Sequence, residues 1–156
     1  MVEAVIEGEP SAADTLYFNH PGVAVVTWHP TSQAVHVEWQ GWAHLTERVA
    51  CLEAGLRALT EHQGSRWMVD GREMKAVKQS DQDWIDQDWF PRALAAGLRR
   101  MAVVMPKSRL AGMNVDDILA RVPDSKLEVA RFATVAQARE RLMGSLQPRL
   151  RMDRSN

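Results

Sequence analysis

The chain is poor in several things, and each shortage closes a class of function. It has one cysteine, Cys51, among 156 residues. A disulfide framework within the chain is excluded, as is a zinc site built on cysteines, and a reducing cytoplasm fits. It has no basic excess: the formal net charge is -1, with nothing in surplus to neutralise a phosphate backbone, so nucleic acid is not an expected partner. No apolar run approaches the roughly 20 residues of a membrane span. The first ten residues, MVEAVIEGEP, lack the basic-then-apolar order of a signal peptide. There is no Gly-x-Ser-x-Gly, no phosphate-cradling glycine loop and no HExxH. No catalytic set, cofactor or metal is therefore expected, and the expectation is a non-enzymatic protein.

What is present is ordinary globular material, 46% hydrophobic and 25% charged, in a length that favours one domain with a core. Residues 1–13 read as a flexible leader punctuated by Glu9-Pro10-Ser11, residues 14–146 as the domain, and residues 147–156 as a polar, Arg-bearing, disordered tail. TLYFN is a short strand stopped by His20-Pro21-Gly22. Val23–His29 and Ala34–Trp39 are strands around the turn Pro30–Gln33. A hairpin there pairs Trp28 with Val35, Val26 with Val37 and Ala24 with Trp39, all on one face, the core face. Val23, Val25, His36 and Glu38 then share the outer face, where solvent or a dimer partner would meet them.

Leu45, Val49, Leu52, Leu56 and Leu59 form an apolar stripe at helical spacing over Leu45–Glu61, with Gly64 as the stop and Cys51 on the flank of the stripe. RWMVD is a central strand. A second helix starts at the acidic repeat, with Ser80 as N-cap and Asp83 three residues on as its capping-box partner. RRMAVVMP holds another strand, SRLAGMNVDDILARV a helix, KLEVARF the last strand, and TVAQARERLMG a final helix. That helix is capped by Thr134, with Val135, Ala138 and Leu142 inward. The order predicts an α/β fold: a mixed sheet with a leading antiparallel hairpin, parallel later strands, and about four helices packed mainly on one face.

Two stretches invite a site. The first is DQDWIDQDWF, residues 81–90. A helix turns about 100° per residue, so a five-residue repeat lands about 140° round and scatters the carboxylates. Asp81 and Asp83 fit the first turn of a helix, where the dipole favours them; Ile85 and Trp89 fit the core, with Trp84 at the rim. Pro91 should kink or restart this helix. The second stretch is Asp70-Gly71-Arg72, at the carboxyl end of a central strand, with Ser80 nearby. Such ends border ligand crevices in open α/β sheets, and Arg72 suits an anion. The plain alternative is an ion pair that fixes the loop, either Asp70–Arg72 or Arg72 with a carboxylate of the second helix.

The order of elements, together with VHVEWQGW, WMVDGREM, DWIDQDWFPRALAAGLRRMAVVMP and ARFATVAQARERL, resembles the STAS-like superfamily of anti-sigma-factor antagonists over roughly residues 15–143. The nearer look-alikes are bacterial proteins also related to the CRAL-TRIO lipid-carrier fold. The resemblance implies a regulatory module that binds itself or a partner protein, or else a carrier or sensor of a small lipid-like or anionic ligand. Regulators of the family carry an Asp-Ser-Ser/Thr-Gly type motif whose serine is phosphorylated. Here the region reads VKQSDQDW, which places Ser80 near that position without reproducing the motif.

Overall fold

The computed structural model describes residues 13–144; the expected leader and tail lie outside the described residues, Ala13 apart. The leading strands are β1 (Thr15–His20), β2 (Ala24–His29) and β3 (Ala34–Trp39). Helix α1 (Leu45–Glu61) and β4 (Arg66–Asp70) follow. Then comes a continuous helical stretch: α2 (Gln79–Trp84), a π-helical turn (Ile85–Trp89) and α3 (Phe90–Ala96). The chain continues through β5 (Arg100–Val104), α4 (Arg109–Ala120), β6 (Glu128–Phe132) and α5 (Val135–Gly144).

All six strands form one sheet in chain order, β1-β2-β3-β4-β5-β6. The first three are antiparallel, and β3 to β6 run parallel. The hairpin register is the expected one, with Ala24 opposite Trp39, Val26 opposite Val37 and Trp28 opposite Val35, and all six are buried. Their face packs against α1 to α4 in the larger apolar cluster. The other face holds a smaller cluster, Ala34, Met68, Ala102 and Val104 beneath Val135, Ala138 and Leu142 of α5. The Thr134 hydroxyl accepts from the Gln137 N–H at 3.1 Å, the expected cap of that helix.

One helical reading needs correction. The buried residues of α1 are Arg48, Cys51, Leu52, Ala54, Gly55, Ala58 and Leu59, while Leu45 is exposed. The stripe is rotated because Gly55 lies against Trp67: a Cβ there would stand 2.3 Å from Trp67 Cη2. The missing side chain lets the largest ring of β4 pack into the helix. Pro91 stands in the first turn of α3, so the α-helix restarts at Phe90 as expected, within a stretch that stays helical throughout. The π-helical turn precedes it, and the Phe90 N–H reaches back to Ile85 O, five residues away. The widened turn carries the helix past a residue that has no N–H to donate. Ile85 and Trp89 are buried and Trp84 is half-buried, as expected.

Candidate functional site

Asp70, Gly71 and Arg72 come together at the end of β4. The Arg72 side chain grips Asp70 through Nε to Oδ1 at 2.9 Å and Nη2 to Oδ2 at 2.8 Å. The Arg72 N–H adds a bond to Oδ1 at 3.3 Å. The loop is thus tied by its own ion pair. Gly71 is set by close approach: its N–H donates to Val104 O at 2.9 Å, and a Cβ would stand 2.9 Å from that oxygen. Ser80 does not join them. It is exposed on α2, which packs on the opposite face of the sheet from Asp70. Nor is Ser80 the N-cap, which is Lys78. Asp83 instead accepts from Gln79 at 3.0 Å and Arg121 at 3.2 Å. A sheet whose strand order never reverses has no switch point to open a crevice beside these residues.

Asp70 borders a different concavity, between β2–β4 and α5. Thr27, His29, His36, Glu38, Asp70 and Arg139 are among its walls, and its volume is about 30 Å³, room for a water or two. Glu38 and Asp70 are paired across the parallel strands. The rings of His29 and His36 stack with centroids 3.6 Å apart at 12°. His29 Nε2 meets the Thr27 hydroxyl at 2.8 Å, and its Nδ1 lies 3.3 Å from Asp14 Oδ2. His36 Nε2 meets the Ser32 hydroxyl at 3.3 Å. The solvent-facing expectation for His36 fails: it is 6% exposed, because His29 lies flat on it and α5 returns the chain across this face. Val23 also leaves the outer face for the larger core. The hairpin register held a usable signal, since it makes His29 and His36 diagonal neighbours on one face.

Burial governs the charges in this pocket. It holds His36 well below its ordinary value, with His29 and Arg139 adding to the effect. It also lowers His29, where Asp14 pulls the other way and Arg139 adds to the lowering. Both rings are therefore neutral at neutral pH. Glu38 is raised, first by burial and then by Asp70, with Arg72 and Gln40 opposing. Among the described residues no group of three or more His, Cys, Asp or Glu side chains is arranged to hold a metal ion.

On the helical face an apolar cavity of about 80 Å³ opens between the sheet and the α1–α4 layer. Trp39, Trp67, Trp89, Phe90 and Met74 are in its walls, and Arg48 is its charged residue. Arg48 is 2% exposed; its Nε donates to Asp81 Oδ2 at 3.1 Å, and its guanidinium stands 5.2 Å from the Trp39 ring centre. Asp81 lies in the first turn of α2, as expected, but it is also only 3% exposed. A charge cannot be left unpaired in such a place, and Arg48 supplies the counterion. The rest of the acidic repeat is matched by two arginines. Asp83 and Asp86 share Arg121, and Asp88 pairs with Arg92. Cys51 is fully buried, and burial pushes its thiol up to about 12. Among the described residues a polar pocket thus lies under α5 and an apolar cavity under the π-helical turn. No protein-family model matches the chain, and neither a curated protein nor a solved structure is significantly similar to it.

Proposed function

We propose that this chain is a non-enzymatic regulatory module of the STAS-like type, cytoplasmic, whose binding state is set in the apolar cavity. The observation that supports this is the composition of the cavity wall: aromatic rings, Met74, and one guanidinium already matched by Asp81. The wall suits a small lipid-like or aromatic ligand. An anionic ligand has to compete with Asp81 for Arg48. At about 80 Å³ the space is smaller than the ~150 Å³ apolar cavity that accepts benzene, so the ligand is small or the wall yields. π-helical turns recur at functional sites, and here one supplies Ile85 and Trp89 to the wall.

The test is native mass spectrometry of gently purified protein, followed by titration with benzene and with hexanoate while the thermal midpoint is recorded. A retained mass, or a saturable rise in midpoint that Val115→Phe removes, supports the reading. No added mass and no shift with either probe sinks it. The second reading is docking to a partner protein or a second copy. Leu110 and Met113, one turn apart on α4 and 56% and 57% exposed, favour it. The same spectrum reports a dimer, which Leu110→Ser with Met113→Ser should dissociate.

A further inference from the structure

The polar pocket carries an inference independent of the apolar cavity on the other face. His29 and His36 lie face to face at 3.6 Å between centroids, with His36 the inner ring. Several charged groups face the stack. Asp14 comes from the turn before β1, Glu38 from β3, and Asp70 from β4 in the grip of Arg72; Arg139 comes from α5. By strand alternation Arg66 and Arg100 lie farther along the same sheet face. A proton on His29 finds a carboxylate, Asp14. A proton on His36 finds the neutral Ser32 hydroxyl, a second imidazole and the approach of Arg139. Helix α5, meanwhile, buries three side chains among the described residues, Val135, Ala138 and Leu142, and carries the Arg141–Glu128 pair. Its apolar cluster is separate from the larger core, the condition for opening as a local unit.

We propose that the His29–His36 stack is a proton-operated release for α5: at about pH 5.5 protons are taken up by the rings when α5 opens and carries Arg139 away, so α5 leaves the sheet while the α1–α4 layer stays folded. The sign follows from linkage. Both rings are held below their ordinary value of 6.5 in the folded chain. The stability they confer is complete above that value and is lost as pH falls below it, where the open form takes up more protons.

Amide hydrogen exchange of the full chain at about pH 7.5 and pH 5.5, corrected for intrinsic rates, tests the release. Residues 135–144 should lose about tenfold or more in protection at the lower pH while α1 and β4 keep theirs. Arg139→Gln, which removes the opposing charge from a half-exposed position, should cut that loss to about threefold or less, and the double variant His29→Gln with His36→Gln should abolish it. The proposal is overturned if α5 keeps its protection in acid, if α1 loses protection in step with it, or if Arg139→Gln behaves as wild type.

Discussion

Arg48 of α1 and Asp81 of α2 meet across 3.1 Å with both side chains almost wholly out of solvent. The pair ties the start of one helix to the start of the next beside the apolar cavity. Leaving either charge without the other is costly in such a place. Asp81→Ala or Arg48→Met should lower stability by about 3–5 kcal/mol. The double variant Arg48→Met with Asp81→Leu should recover much of that loss, since neither charge then remains. Urea unfolding of the four proteins measures the coupling directly; single-variant losses below about 1 kcal/mol would mean the pair is solvated in solution.

Two glycines on helices should respond in opposite directions to the same change. Gly55→Ala forces a methyl against Trp67, whose ring is buried. It should destabilise by about 1–3 kcal/mol. Gly112→Ala on α4 meets nothing within 4 Å and should stabilise by about 0.5–1 kcal/mol through helix propensity. Thermal midpoints of the two variants moving the same way would contradict the close packing of α1 on β4.

How much of this was readable before folding depends on the range of the interaction. The β2–β3 register was legible because Ala24, Val26, Trp28, Val35, Val37 and Trp39 alternate and face each other across a short turn. The caps were partly legible: Thr134 holds its helix, while Ser80 yields its place to Lys78. Arg48 and Asp81 were not, because an isolated charge in a helical sequence looks like surface and its partner is 33 residues away. His36 was misplaced for a related reason. Alternation in β3 shows which face each residue takes, but nothing local shows that α5 will come back over the polar one. Of the expected crevice, Asp70, Gly71 and Arg72 assemble because they are adjacent, and Ser80 falls on the far face of the sheet.

Cys51 serves as a reporter of unfolding. It is fully buried, and its thiol is pushed up to about 12, so thiolate is scarce at pH 8. A disulfide reagent such as Ellman's should label the native protein slowly, at the rate of opening, and the urea-unfolded protein within seconds. Fast stoichiometric labelling of the native chain would place Cys51 outside the core.

Glu38 gives a pH dependence of its own. Its folded-state value is raised, by burial first and then by Asp70. The stability linked to its proton is present below the unfolded value and is lost as pH rises through the folded one. Glu38→Gln should therefore stabilise the chain at neutral pH and have little effect near pH 3. Denaturation midpoints at the two pH values check this; a loss at neutral pH would show that the carboxylate is used as an acceptor there. Arg72 and Gln40 offset the burial in part, so the gain should be modest.

The strand order that denies the sheet a switch point also prescribes a direction of assembly. Each strand from β2 to β6 pairs with its immediate predecessor in the chain. A growing polypeptide therefore always presents its next partner already in place, and no strand has to be inserted between two that have formed. Assembly can run vectorially from the β1–β3 meander outward, with α5 laid down after the six strands. What lies outside the strand ladder can be withdrawn without splitting the sheet, so α5 can come and go over a scaffold completed before it.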